Sequence, residues 1–248
     1  MKNEKIKCQG VVLKTTDYKE NANLITILTN DGIKNLIIRG TKKLSSKMRS
    51  LTNIFNIIEI VQTDNGGLNT ITEGSVIKNY AGFYDDVLKI SYAEAIIEKI
   101  LVLNSSITNY ETLYQFVIKI FDLLLTSKEP ELVVLVFETK LLYLVGIAPN
   151  FKECVNCHKK EAKRLVLSEG GVVCDECIQK NRYAMVLNEN ETMALKIIYL
   201  IKIERIEQDF YDTIRPFYQK LNFFIDLYYS NFLDFTSKTK KIINQISN

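Results

Sequence analysis

At 248 residues the chain can bury the core of one large domain or two small ones, and 47% hydrophobic with 25% charged residues is a globular composition that excludes wholesale disorder. The formal charge is only +3, yet residues 1–80 hold 12 basic against 7 acidic residues while the remainder holds 20 against 22. This asymmetry fits either a polyanion partner for the first third or a mildly charged solvated surface.

The first 80 residues read as strands. Cys8 to Lys14, Leu24 to Thr29 and Ile33 to Arg39 are short runs rich in Ile, Leu, Val and Thr, and Asn30-Asp31-Gly32 supplies a tight turn between the last two. Ile54 to Gln62 and Leu68 to Val76 form a second pair joined by Asp64-Asn65-Gly66-Gly67. Five short strands at this spacing fit a small antiparallel barrel, with the OB-fold leading and an SH3-like barrel as competitor. Cys8 reads as a small buried hydrophobe in the first strand.

Between the third and fourth strands lies Arg39-Gly40-Thr41-Lys42-Lys43-Leu44-Ser45-Ser46-Lys47-Met48-Arg49, five cations in eleven residues without an acid. On an OB-like barrel this loop borders the groove that single strands follow, so Arg39, Lys42, Lys43, Lys47 and Arg49, extended by Lys14 and Lys19, are candidate phosphate contacts. Tyr18 or Phe55 is available to stack a base, although either ring serves equally well in a core. A solvated loop is the competing reading of the same charges.

After Tyr80 the period changes. Val87, Leu88, Ile96, Ile97, Ile100 and Leu101 mark a buried helical face within Tyr84 to Asn104. Further helices are expected from Tyr110 to Leu125 and from Pro130 to near Gly146, and three more patterns occupy 190–205, 213–231 and 237–247. The sequence thus divides into a barrel domain at 1–80 and a helical domain at 81–248, an α+β organisation with a cysteine segment at 151–182 inserted among the helices. No apolar run follows Met1-Lys2-Asn3-Glu4-Lys5. The stretch from Leu132 to Ile147 is interrupted by Glu138 and Lys140 and too short for a bilayer. A soluble cytoplasmic protein without membrane attachment is expected.

Cys154, Cys157, Cys174 and Cys177 form C-x2-C-x16-C-x2-C, the spacing of a four-cysteine zinc site. Two knuckles complete a closed tetrahedral shell with no position for substrate, so the zinc is structural. Gly170 and Gly171 stand where a strand turns back toward the metal. Three other readings use these residues. Disulfides conflict with the missing leader. A dithiol redox site normally lies beside a βαβ pattern, which is absent. Cys154 to His158 also spells the c-type haem attachment motif, but this would strand Cys174 and Cys177; His158, the single histidine, is expected to be exposed, with replacement of a cysteine as ligand the lesser alternative.

The chain has no G-x-x-x-x-G-K-[ST] loop, no carboxylate cluster suited to catalytic magnesium and no Ser-His-Asp arrangement, so no enzyme activity is expected. Three blocks then resemble the RecO family of bacterial recombination and repair mediators. The first is Gly10 to Thr15 with Asp17, Tyr18 and Glu20, Leu24 to Thr29, and Gly40 with its basic run; the second is Tyr80 to Asp86 with Tyr92, Ala93 and Glu98. The third is Leu144, Gly146 and Pro149 leading into Cys154 and Cys157, then Ser168, Gly170 and Gly171 leading into Cys174 and Cys177. The chain departs from the pattern at Ser50 and Ile54, where the family often has Gly and Pro, and at His158, where it usually has Gly. The resemblance implies an OB-fold binding single- and double-stranded DNA and a zinc-bearing helical domain. It implies partnership with RecR and with the C-terminal tail of single-stranded DNA-binding protein, annealing of complementary strands, and help in loading RecA. An accessory factor of transcription or translation, binding RNA or protein through the same two modules, is the alternative.

Overall fold

The computed structural model describes residues 5–42, 46–63, 68–179 and 185–246. The Asp64 to Gly67 connection, Lys43 and residues 180–182 of the cysteine segment lie outside them. By compactness the chain forms two units, one of residues 1–93 and 109–125, the other of 94–108 and 126–248.

In the first unit, β1 (Lys5–Asp17), β2 (Ala22–Thr29), β3 (Gly32–Arg39), β4 (Ile57–Thr63) and β5 (Thr70–Lys78) close a barrel in the order β1-β2-β3-β5-β4, with β4 returning to β1. Every pairing is antiparallel except the short β3–β5 contact, which seals the barrel. This is the OB-type solution expected from the sequence. Its core follows the period of two: Ile25 and Ile27, Leu36 and Ile38, Ile58 and Ile60 all point inward with Val12, Leu51 and Ile71.

β1 serves two neighbours. Its first half pairs with β4 and its second with β2, and the register shifts between Val12 and Lys14 where the strand bends. Gly10 permits this crowding, because a Cβ there would stand 2.9 Å from Ile27 Cδ1. Two details differ from expectation. Cys8 is half-buried against the barrel core rather than fully enclosed. The fourth strand starts at Ile57, not Ile54, because Phe55 adopts φ +75° and breaks the extended run.

Phe55 is instead 1% exposed and packs against Phe83 (5.3 Å), Phe121 (5.8 Å) and Tyr84 (6.0 Å). Phe121 belongs to α2 (Tyr110–Thr126), which is why most of that helix clusters with the barrel. Asp122, one residue on, accepts from Lys78 Nζ (2.5 Å) and from the Tyr80 hydroxyl (2.7 Å).

In the second unit α3 (Pro130–Leu144) is the central element, buried on nearly all sides and packed by α5 (Glu189–Leu200) and α7 (Tyr218–Leu233). Pro130 opens it and Gly146, at φ +80°, turns the chain just after its end. α5 starts in a capping box between Asn188 and Glu191 and stops at Leu200, short of the expected 205. The pattern expected at 213–231 is divided: α6 (Gln208–Ile214) precedes α7, with Pro216 in the turn between them. α8 (Lys238–Ile246) follows, its first turn held by the Glu98 carboxylate on α1 (Val87–Val102), which accepts from the Lys238 and Thr239 backbone N–H groups. No described helix is long and apolar enough to cross a membrane.

Candidate metal centre and nucleic-acid face

The cysteine segment folds as a three-stranded sheet in the order β7 (Gly171–Val173), β6 (Arg164–Val166), β8 (Val186–Leu187), with a single helical turn, α4 (Asp175–Ile178), after the hairpin. Leu165 N–H donates to Thr192 Oγ1 of α5 at 3.0 Å, tying the sheet to the bundle. The chain leading into the first knuckle lies along β7. Asn150 N–H donates to Gly170 O, Val172 N–H to Asn150 O, and Val155 N–H to Val172 O, at 2.9–3.0 Å. Both positions favour glycine. Gly170 adopts φ +63°, and a Cβ on Gly171 would meet Val155 Cγ1 at 2.3 Å.

Each CxxC closes a tight turn. In the first, His158 N–H donates to Cys154 O at 2.8 Å; in the second, Ile178 N–H donates to Cys174 O at 3.0 Å. The four sulfurs lie within 4.8 Å of one another, and Cys157 Sγ and Cys174 Sγ are 3.6 Å apart. A tetrahedral shell with metal–sulfur bonds near 2.3 Å has an edge of about 3.8 Å, so the cluster has the dimensions and donor chemistry of a thiophilic ion's site. Cys154 and Cys174 are buried with Val166 and Val173 in the module's own small core, Cys177 is half-buried, and Cys157 is exposed. Burial pushes the Cys154 thiol up, but N–H groups from Cys174, Asn156 and Cys157 outweigh it and bring it to about 6. Hydrogen bonding with Cys157 and Cys174 sends Cys177 to about 12. Four sulfurs this close share protons unevenly unless a cation compensates them.

His158 is no part of this shell. Its side chain is 75% exposed and Nδ1 pairs with Glu153 Oε1 at 3.0 Å. Its φ of +62° is the left-handed conformation, which explains physically why glycine suits this position.

On the barrel, Lys14, Arg39, Lys42, Lys47 and Arg49 are all exposed. A groove of about 510 Å³ opens between the β1–β2 connection and the end of β3, lined by Tyr18, Lys19, Asn21, Ile37 and Arg39, with one carboxylate, Glu20, among them. Its shape is set by backbone pairing: Tyr18 N–H donates to Ala22 O (2.9 Å) and Gly40 N–H to Asn21 O (2.7 Å). Thr41 Oγ1 donates to Asn23 Oδ1 beneath it. Lys19 Nζ stands 5.4 Å from the Tyr18 ring centre, and Lys42 Nζ is 3.7 Å from Asp17 Oδ2 at the same end of the barrel. Lys14, facing Thr26 across the β1–β2 ladder, Lys42 beside Asp17, and Lys47 and Arg49, on the turn that carries Leu51 into the core, do not line this groove, so Arg39 is the one residue of that set that does. Of the two rings open to base stacking, Phe55 is committed to the core and Tyr18 is not. Asn21 and Ile37 carry no charge or motif that would mark them in the sequence, and only the closed barrel brings them to the groove.

Two family models account for nearly the whole chain: the recombination protein O N-terminal model matches residues 1–80 and the recombination protein O C-terminal model residues 84–233. The chain belongs to the recombination protein O family. Among its relatives, the DNA repair protein RecO of Listeria monocytogenes serotype 4b (strain CLIP80459) is 25% identical over 243 residues, 97% of this chain and 94% of the relative. DNA repair protein RecO of Bacillus subtilis (strain 168) is 24% identical over 242 residues, with the same coverage. The boundary between the two RecO models falls at the change from strand to helix, and the C-terminal model spans the whole cysteine segment.

Proposed function

We propose that this chain is a recombinational DNA repair mediator that acts without covalent chemistry. The match of both halves to the RecO family carries this reading. The barrel is its DNA-binding part, taking single and double strands through Arg39, Lys42, Lys43, Lys47, Arg49 and Lys14, with Tyr18 and Lys19 in the groove. Lysine and arginine here neutralise phosphates and release counterions, which gives affinity without sequence choice. Neutralising two strands at once lowers their mutual repulsion, and complementary strands then anneal. The ion held by Cys154, Cys157, Cys174 and Cys177 is zinc, and its role is to cross-link the β6–β7 hairpin to the chain entering it.

The partners are those of a RecO mediator: RecR, the C-terminal tail of single-stranded DNA-binding protein and, indirectly, RecA, in the cytoplasm. A groove of about 620 Å³ in the second unit supports a site for the tail. Tyr143, Phe151, Tyr199 and Leu200 supply apolar surface, and Lys152 and Lys196 stand among its lining without a carboxylate. An acidic tail with an aromatic end suits that chemistry.

Annealing of complementary oligonucleotides, followed by strand-specific fluorescence without ATP or magnesium, tests the proposal. The protein is expected to accelerate annealing, and to do so on strands already coated by the single-stranded-binding protein. A chain that neither binds DNA at low salt nor anneals it would favour the RNA- or protein-binding accessory role.

A further inference from the structure

The four sulfurs are not equivalent. Cys154 is 0% and Cys174 6% exposed, closed in by Val166 and Val173, and Cys177 is half-buried, whereas Cys157 lies open to solvent. The exposed sulfur also has a second sulfur within reach across the module, Cys174 Sγ at 3.6 Å. Susceptibility of a thiolate to two-electron oxidants rises with its accessibility, and a neighbouring thiolate captures the first product.

We propose that Cys157 is an oxidant entry site for hydroperoxides, and that its oxidation ends in a Cys157–Cys174 disulfide that releases the metal. The Cys157 thiolate attacks the terminal oxygen of the hydroperoxide; the S–O bond forms, the O–O bond breaks, and hydroxide or alkoxide leaves to take a proton from water. Sulfur loses two electrons and the peroxide gains them, giving the sulfenic acid at Cys157. The Cys174 thiolate then attacks that sulfur, forming the S–S bond as hydroxide departs. The sulfurs need approach only from 3.6 Å to about 2.0 Å.

The product differs from simple loss of metal. Cys157 belongs to the first knuckle and Cys174 to the second, so the new bond joins the same two segments that the metal had joined. Asn150, Val155 and Val172 already tie these two segments together by backbone hydrogen bonds that involve no sulfur. The module therefore loses its ion without losing its cross-link, and thiol reductants with zinc restore the starting state. The inference rests on the metal reading and is independent of DNA binding.

The test uses the full-length metal-loaded protein and hydrogen peroxide. Released metal is followed with a chelating dye, a brief maleimide pulse ranks the four thiols, a dimedone trap captures the sulfenic acid, and non-reducing peptide maps identify the disulfide. The expected result is maleimide and dimedone on Cys157 severalfold above each other cysteine, with metal release tracking a Cys157–Cys174 cross-linked peptide and both reversed by dithiothreitol. First modification at another cysteine, or a disulfide confined to one knuckle, would overturn the proposal. Metal content measured on the same sample separates the two readings. A chain without bound metal that still forms the Cys157–Cys174 bond retains the oxidation site and loses the metal assignment.

Discussion

Replacing Lys240 with Met keeps the length and flexibility of the side chain but removes the charge that holds α8 in the second unit. Lys240 Nζ lies 2.9 Å from Glu138 Oε2, 2.7 Å from Asp226 Oδ1 and 2.7 Å from Asn222 Oδ1, at 6% side-chain exposure. Glu138 is fully buried and shared with Lys99, whose Nζ is 2.7 Å from Oε1. Removing one partner of a buried pair typically costs about 3–5 kcal/mol. Glu138 keeps Lys99, and Asp226 retains 36% exposure through which water reaches it, so the lower end, about 3 kcal/mol at pH 7, is expected. For a chain of this length that is a fall in Tm of about 6–12 °C.

The loss must also depend on pH. Burial pushes the Glu138 carboxyl up, but the ammonium groups of Lys240 and Lys99 overcome it and hold it below the usual carboxylate range. A carboxyl lowered in the folded state contributes stability above its unfolded value, about 4.3, that is lost as pH falls through the folded value. Without Lys240 that folded value rises, and Asp226, already raised by burial, rises further. The difference between wild type and K240M should therefore be largest near neutrality and shrink toward pH 4. Urea unfolding at several pH values measures it. A destabilisation below about 1 kcal/mol at pH 7, or one that does not vary with pH, would refute the reasoning.

Phe55→Ala should lower stability by about 3–5 kcal/mol through the cavity left against Phe83, Tyr84 and Phe121; a change under about 1 kcal/mol by urea titration would return the ring to the surface. Gly171→Ala should reduce bound metal per chain, and adding Val155→Ala should recover part of it by removing the methyl 2.3 Å away; unchanged metal content in the single variant would contradict the packing. Changing Lys42, Lys43, Lys47 and Arg49 together to Ala should weaken DNA binding and flatten its log–log salt dependence by about 0.9 for each duplex phosphate no longer neutralised, and an unchanged slope would locate the phosphates elsewhere.

Local signals in the sequence determined the barrel, the order of the helices and the four cysteines that cluster. Alternation at Ile25/Ile27 and Ile58/Ile60 reads directly as strand, Pro130 and Gly146 bracket a helix, and the CxxC spacing marks the four sulfurs that fold to within 4.8 Å of one another. The OB connectivity and the groove at Tyr18, Lys19 and Arg39 needed the tertiary structure, because residues from β3 and the β1–β2 connection meet only once the barrel closes. The same holds for Phe55, whose ring could have faced base or core until Phe121, 66 positions away, filled the space beside it. Glu138 and Lys140 read from sequence only as charges interrupting an apolar run. Folding converts Glu138 into the shared partner of Lys99 and Lys240, 39 residues before it and 102 after it, because a carboxylate that cannot reach water must find its compensating charge wherever the chain brings one.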